Sequence, residues 1–326
     1  MSIPIAGRLA RTTTLRQLQI LLTVAQHGSY TRAAEALHLT QPTVSMQIRK
    51  LAENIGQTLF EHGSGGLTLT PAGSRVVTAA REILGRLETL ENEINALANE
   101  VKGELRIGVV TTAKYFMPHM LGAFIQRYPE VTPRLTVTNR AMVLERLEQN
   151  LDDLLIMGRV PEELEVEAHP FLENDLVVIA PADHPLAGRR AIPLKRLLKE
   201  RVLVREPGSG TRLAMDSLFE KHGLELEPYM ELGSIEAIKQ AVMAGMGISV
   251  MSRHNLRLEL ESGRLCILDI KGFPLRRHWF AVHSAGRELS LVARTFLDFI
   301  LTEGDALFPS ETGRAIRGGG AAPAAP

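Results

Sequence analysis

Apolar residues recur at helical spacing almost from the start of the chain. Leu15, Leu18, Leu22 and Ala25 share one face over residues 14–27, and Gly28 ends the run, which predicts an amphipathic helix. A shorter helix is predicted over 31–37, capped by Ser29 or Tyr30, with Ala33, Ala34 and Leu37 turned inward. His38 and Leu39 leave room only for a turn. Thr40 then caps a third helix, whose first turn tolerates Pro42 because the missing N–H needs no partner there. Val44, Ile48, Leu51 and Ile55 form its core face, with Pro42, Ser45, Met46 and Arg49 opposite and Gln41 at its tip. Residues 58–60 and 67–69 are predicted as the short strands of a β-wing. Two helices joined by a tight turn, the second polar at its N-terminal end, suggest a helix-turn-helix. The three helices alone also suit a small domain with a solvated polar face.

From Val76 the apolar positions run Val76, Ala80, Ile83, Leu87, Leu90, Ile94, Leu97 and Val101, in alternating steps of four and three. That is a heptad seam on one long helix. Such a helix either lies on its own globular domain or pairs with the same helix of a second copy. Its strongly acidic opposite face favours the pairing. Beyond residue 104 the pattern alternates. Strands are predicted at 105–110, 135–138, 154–157, 175–180, 202–204, 248–252 and 278–283. Helices are predicted from 113 to 128 and over 143–149, 211–222, 235–244 and 290–301. Repeated βα units imply two open α/β subdomains.

Composition narrows the class. The chain has 326 residues, 45% hydrophobic and 23% charged, which excludes global disorder. The single cysteine, Cys266, excludes a disulfide framework, a thiolate zinc cluster and an iron–sulfur site. Its apolar surroundings predict a buried strand residue, not a nucleophile. No run approaches the ~18 apolar residues of a membrane span, and no signal-peptide pattern is present, so a cytoplasmic protein without a membrane partner is expected. The histidines include no His-x-x-x-His pair with a nearby carboxylate, so no metal site is expected. Residues 1–13 and the tail 304–326, rich in Gly, Ala and Pro toward its end, are expected to be disordered. Lys+Arg and Asp+Glu balance at 37 each, but unevenly. Residues 1–75 carry seven basic groups against three acidic ones, a net +4, whereas 76–100 carry two against five. A basic head on an acidic stalk is a DNA-binding footprint.

Ligands of open α/β sheets bind beyond the carboxyl ends of strands, at helix N-termini. Three loops meet that condition. Thr111 and Thr112 follow the first strand. Gly208, Ser209, Gly210 and Thr211 follow Arg205, with Arg212 beside them. Gly233 and Ser234 open a third helix, which carries Lys239. Hydroxyls and free N–H groups beside Arg and Lys suit a phosphate or carboxylate. Each loop taken singly is equally an ordinary glycine turn with a capping hydroxyl. The Gly208–Thr211 loop lacks a P-loop ending, and no nucleophile–base pair can be placed, so an enzyme is not expected. The rival to a DNA-binding regulator is an α/β enzyme or small-molecule-binding protein with an accessory N-terminal domain.

The run Ser29-Tyr-Thr-Arg-Ala-Ala-Glu-Ala-Leu-His-Leu-Thr-Gln-Pro-Thr-Val-Ser-Met-Gln-Ile-Arg-Lys-Leu51, with Leu59-Phe60 and Leu67-Thr-Leu-Thr-Pro-Ala-Gly73, resembles the LysR-type transcriptional regulators. The likeness extends from about Leu15 to Leu301. It implies a winged helix-turn-helix over 14–71, a coiled-coil dimerisation helix over 72–102 and an effector-binding domain over 103–303. That domain would be periplasmic-binding-protein-like, with one subdomain over 103–173 and 278–303 and a second, over 174–277, inserted into it. The resemblance places DNA contacts on Tyr30, Thr31, Arg32, Gln41, Pro42, Thr43, Ser45, Met46, Arg49 and Lys50. It implies a homodimer on double-stranded DNA with two-fold related half-sites, pairing into a tetramer, and RNA polymerase as a further partner. Met46, His62 and Gly65 depart from the arginines common at those places, so backbone amides of the 63–66 loop would substitute in the wing.

A narrower likeness lies in Val110-Thr-Thr-Ala-Lys-Tyr-Phe-Met-Pro118, Thr138-Asn-Arg140, Val204-Arg-Glu-Pro-Gly-Ser-Gly-Thr-Arg212 and the run from Gly233 to Ile248. These segments are similar to activators of Calvin-cycle (RuBisCO) operons. Regulators of bicarbonate and nitrogen uptake share parts of them. The likeness adds Lys114, Asn139 and Arg140 to the effector candidates. It implies no resident cofactor but a small anionic effector, a phosphorylated metabolite or NADPH.

Overall fold

The computed structural model describes residues 7–63, 66–97 and 100–308. Residues 1–6, Gly65 of the wing and everything past 308 lie outside the described residues. The chain divides into two units at Leu97.

The first unit opens with α1 (Arg8–Thr12), where a disordered terminus was expected; the Asn54 side-chain amide donates to the Thr12 carbonyl at 2.7 Å. In α2 (Leu15–His27), Thr14 and Gln17 form a reciprocal capping box, and Gly28 ends the helix in the left-handed region at φ 56°. Ser29 caps α3 (Tyr30–Ala36) by accepting from Arg32 N. Thr40 precedes α4 (Gln41–Ile55) without capping it: its hydroxyl meets that of Thr43 at 2.8 Å instead. The predicted face of α2 is rotated in the structure. Leu18, Ile20, Leu21 and Val24 are buried, while Leu15 is 48% exposed. Both sides of this helix are apolar, so spacing alone could not choose between them. On the buried side, Gln17 donates from Nε2 to Gln47 Oε1 on α4 at 3.2 Å, beside Leu18, Ile20, Leu21 and Val24 in the head core.

The wing pairs β1 (Phe60–Gly63) with β2 (Gly66–Leu69), displaced C-terminally from the first predicted strand. Residues before Phe60 are used elsewhere: Thr70 binds the carbonyls of Thr58 and Leu59 through its hydroxyl and its N–H. The Thr70 hydroxyl also accepts from Gly73 N at 2.9 Å, opening α5 (Pro71–Leu97). A Cβ on Gly73 would lie 2.0 Å from the Leu59 carbonyl oxygen, so only glycine lets α5 start here. Val77 and Ala80 are buried in the head core, whereas Ile83, Leu87, Leu90 and Ile94 remain 41–57% exposed. The long helix stops short of the predicted 102. Glu100–Lys102 are not helical, and Val101 packs against the core of the second unit, outside the seam.

The second unit holds two five-stranded sheets. The chain builds β3 (Gly103–Val110), a 3-10 turn (Thr111–Tyr115), α6 (Met117–Arg127), β4 (Val131–Thr138), α7 (Arg140–Glu148), β5 (Leu154–Met157) and β6 (Val166–Glu173). It crosses over into β7 (Leu176–Pro181), β8 (Val202–Arg205), α8 (Gly210–Lys221), β9 (Met230–Leu232) and α9 (Ile235–Met243). Then come β10 (Ile248–Ser252), α10 (Arg257–Glu261) and β11 (Leu265–Leu268). It returns in β12 (His278–Ser284) and ends with α11 (Leu291–Leu307), four residues beyond the ordered limit expected at 303. Sheet order is β4-β3-β5-β12-β6 in the first subdomain and β11-β7-β10-β8-β9 in the second. Each sheet is mixed, with two parallel and two antiparallel pairings, and the crossover strands β6, β7 and β12 run antiparallel to their neighbours. Aromatic contacts among Phe116, Phe124, Trp279 and Phe296 fill the first core.

Two glycines of α5 make the packing argument measurable. Gly73→Ala forces the helix start off the Leu59 carbonyl and is expected to destabilise the head by about 2–4 kcal/mol. Gly85→Ala, with nothing within 4 Å of its added carbon, is expected to stabilise it by about 0.5–1 kcal/mol. Urea unfolding of the two variants followed by circular dichroism checks both signs.

Candidate effector cleft and DNA-reading face

The cleft forms where the strand ends of the two sheets meet. β3 runs out at Val110 into Thr111 and Thr112, and β8 runs out at Arg205 into the turn that opens α8. Gly208 makes that turn at φ 81°, a conformation that L side chains resist. Ser209 stands at the N-cap of α8 but makes no side-chain cap bond, which leaves its hydroxyl and the first amides of the helix directed at the cleft. The opposite wall is the start of α7 at Arg140 and the end of β5 at Gly158 and Arg159. The floor is the pair of crossovers, with Asn174, Leu176, Arg277 and Trp279. The cleft space, its open mouth included, is about 480 Å³.

Charge is the defining property of this space. Arg140, Arg159, Arg205 and Arg277 line it against one carboxylate, Glu206. Arg205 is buried and binds Glu206 with two nitrogens, at 2.7 and 2.6 Å, and reaches the Thr111 hydroxyl at 3.3 Å. The other three guanidiniums crowd one another. Burial first, then the charge of Arg159, pulls the pKa of Arg140 below its ordinary value. Burial, then Arg159 and Arg140, does the same to Arg277. An anion placed among them relieves both effects. Two buried groups add hydrogen-bonding capacity. Among the described residues Trp279 Nε1 and Asn174 Oδ1 have no partner, one a donor and one an acceptor.

Seven of the thirteen effector candidates line this cleft: Thr111, Thr112, Arg140, Arg205, Ser209, Gly210 and Thr211. The other six do not. Lys114 is exposed beside the Tyr115 ring. Asn139 caps α7 through Met142 N, and Ser234 caps α9 through Ala237 N. Gly208 serves as the turn. Arg212 is engaged by Asp216 at 2.9 Å and donates to the Arg205 carbonyl. Lys239 is buried between Glu259 at 2.7 Å and Glu236 at 3.1 Å, with the Tyr115 ring against it. A cation neutralised on both sides has no charge left for a ligand. Sequence reasoning missed Arg159, Asn174, Arg277 and Trp279. Arg159 sits past a strand end, as Thr111 does, and the same rule could have found it. The other three come from the crossovers, where no local pattern marks them.

On the head, Gln41, Pro42, Met46, Arg49 and Lys50 are exposed on one side of α4, with Thr43 and Ser45 partly exposed. Thr31 and Arg32 are exposed on α3. Tyr30 is half-buried, its ring edge-on to Phe60 at 6.0 Å, and burial raises its phenol pKa. It is therefore more a wing support than an open contact. Among the described residues no helix is long and apolar enough to cross a membrane.

Comparison with known proteins agrees with both halves. Residues 15–74 match the bacterial regulatory helix-turn-helix protein, lysR family, and residues 98–305 match the LysR substrate binding domain. The chain is 47% identical over 290 residues to a RuBisCO operon transcriptional regulator of Acidithiobacillus ferrooxidans, covering 89% of this chain and 94% of that protein. It is 44% identical to the HTH-type transcriptional activator CmpR of Synechocystis, covering 91% and 98%. Among solved structures it is similar to the regulatory domain of Synechocystis CcmR in complex with 2-PG. The TM-score is 0.60 and the identity 49%, over 62% of this chain and 97% of that one. A helix-turn-helix with a DNA-reading face, followed by an arginine-lined α/β cleft and matched over both parts, has one family meaning. The chain belongs to the LysR family of transcriptional regulators, oligomeric proteins that bind DNA and small-molecule effectors and are not enzymes.

Proposed function

We propose that this protein is a cytoplasmic activator of carbon-fixation genes whose operator binding is set by a small phosphorylated metabolite held in the arginine cleft. The observation that carries this reading is the set of three guanidiniums, Arg140, Arg159 and Arg277, facing one space with the hydroxyls of Thr112 and Ser209, beside Arg205, which Glu206 already holds. A phosphate takes charge-assisted hydrogen bonds from such groups, and a second acidic group on the same metabolite finds the guanidiniums left over. The likeness to RuBisCO operon regulators supports the gene target, and the 2-PG complex of the CcmR domain supports the ligand class. The 44% identity to the Synechocystis activator CmpR favours a second reading, control of bicarbonate or nitrogen uptake genes. The choice of operator separates the two.

The exposed seam of Ile83, Leu87, Leu90 and Ile94 supports a homodimer through α5, which presents two recognition helices to two half-sites. Tetramer formation and contact with RNA polymerase would follow from the family's habit.

Calorimetry with 2-phosphoglycolate, ribulose bisphosphate, phosphoenolpyruvate and NADPH tests the cleft. At least one phosphorylated ligand is expected to bind, and Thr112→Val with Ser209→Ala is expected to weaken it by about 2–4 kcal/mol. Equal binding by the double variant would place the ligand elsewhere.

Mobility shifts test the head. Gln41→Ala is expected to cost roughly 1–3 kcal/mol on the specific operator and little on random DNA. Arg49→Ala is expected to weaken both and to flatten the salt dependence.

In the stalk, Leu90→Lys puts an unpaired charge on the seam. Sedimentation is expected to show dissociated chains with a matching loss of operator affinity. Unchanged assembly and affinity would remove the coiled-coil reading.

A further inference from the structure

The crossover strands carry a second cluster of chemistry at the end away from the cleft. β6 and β12 pair antiparallel, with Leu172 opposite Trp279 at the cleft and Glu167 opposite His283 at the far end. Four residues of strand separate Trp279 from His283, roughly 13 Å. His169 stands two positions along β6 from Glu167, so the three side chains share one face of the sheet. One ring nitrogen of each histidine and one carboxylate oxygen of Glu167 lie within 4.8 Å of one another. The two imidazoles are nearly parallel, with centroids 5.6 Å apart.

The hydrogen bonding fixes what these atoms can do. His283 is buried, and its Nδ1 lies 3.1 Å from the Ser284 carbonyl oxygen. A carbonyl can only accept, so Nδ1 carries the hydrogen, and in the neutral ring Nε2 holds a lone pair. That nitrogen is 3.8 Å from Glu167 Oε2, another acceptor. Two facing acceptors repel unless a cation lies between them. On the same face His169 Nε2 is buried and has no hydrogen-bond partner among the described residues. A backbone carbonyl holding the far nitrogen of a metal-ligating histidine is the usual orienting contact in such sites.

We propose that Glu167, His169 and His283 form a binding site for a divalent transition-metal ion of the zinc class. Two imidazoles and one carboxylate suit zinc and its neighbours, whereas calcium and magnesium prefer oxygen alone. At metal–ligand bonds of about 2.0–2.2 Å, tetrahedral ligand atoms stand roughly 3.4 Å apart. Atoms within 4.8 Å of one another therefore close by up to about 1.4 Å. The exposed Glu167 side chain rotates, and the partly exposed His169 ring turns out of its parallel stack so that both imidazole lone pairs meet the ion. Glu167 lies on the solvent side, so a fourth position stays open to water. The ion ties edge strand β6 to β12 and stiffens the pair from which Asn174 and Trp279 reach the cleft. The site was not legible in the sequence because strand pairing, not a local spacing, brings His283 to the other two.

The test is calorimetric titration of the untagged, chelator-stripped full chain with zinc chloride, repeated with cobalt(II) followed by visible absorption. One ion per chain is expected, with a rise in melting temperature and a four-coordinate cobalt spectrum. Glu167→Gln, at an exposed position, and His169→Gln, at a partly exposed one, are each expected to weaken the ion at least tenfold, since even loss of an outer-shell partner costs about 10–100-fold. Three results would overturn the proposal. One is no stoichiometric binding of either metal. Another is equal binding by both variants, which puts the ion elsewhere. The third is a melting temperature that follows pH alone and ignores metal, which makes the cation between His283 and Glu167 a proton.

Discussion

Between the two sheets of the second unit the chain passes twice, and the passages are fastened to each other by backbone. Leu176 and Leu275 exchange both hydrogen bonds, at 3.1 and 3.0 Å, and Asn174 N donates to the Arg277 carbonyl at 2.8 Å. Everything the cleft contains is referred to this short ladder. It sets Arg277 and Trp279 on one strand beside Asn174 and Leu176 on the other. It also brings the end of β3 to face the end of β8. Gly158 shows how tightly the arrangement is drawn: a Cβ there would lie 2.9 Å from the Asn174 amide nitrogen. A side chain at 158 would push Asn174 out of the floor, and with it the acceptor that the cleft presents.

The same unit distinguishes cations that hold the fold from cations that face a ligand. Arg146 is bound by Asp152 through two 2.7 Å hydrogen bonds, and Lys239 is bound by Glu236 and Glu259. Each is neutralised within its own subdomain. Arg140 and Arg277 instead meet carbonyl oxygens, of Arg159 and Gly210, which accept hydrogen bonds without cancelling charge. Unscreened positive charge in a half-buried space is costly unless function uses it, and here it is concentrated on one ligand-sized volume.

The head was largely legible because its signals are local: caps, a glycine stop, a proline in a first turn and a polar helix tip each act over four residues. The second unit was legible wherever a buried strand reads as an apolar run, as in β3, β5, β7 and β10. It was not legible in β6, where Pro170 and His169 break the pattern. An edge strand tolerates Pro170 because one side of it has no ladder to complete. The cleft was half legible for the same reason. Thr111 and Ser209 follow strand ends and can be found by rule. Arg277 and Asn174 owe their place to a pairing between segments about a hundred residues apart. The failure of Lys239 is different in kind. A lysine near a helix start reads as an anion ligand until its carboxylate partners, one of them on a helix distant in sequence, are known.

Control by a metabolite requires more than affinity. A ligand that binds two arrangements of the subdomains equally well shifts nothing, whatever its strength. Two contacts are made inside the cleft and a third joins the subdomains outside it. Arg205 reaches Thr111 at 3.3 Å, Arg277 reaches the Gly210 carbonyl at 3.1 Å, and the Tyr115 hydroxyl donates to Glu236 at 2.8 Å. The first two are made by guanidiniums that line the cleft, so an anion entering it competes with them or draws both walls onto itself. The third lies outside the lining, where an anion in the cleft does not reach it. A phosphate is therefore in a position to exchange weak cross-cleft bonds for charge-assisted ones, while the Tyr115–Glu236 bond and the Leu176–Leu275 ladder keep the pivot in place. That asymmetry, between contacts an anion can replace and contacts it cannot reach, is what would give two arrangements of the subdomains different affinities for the same ligand.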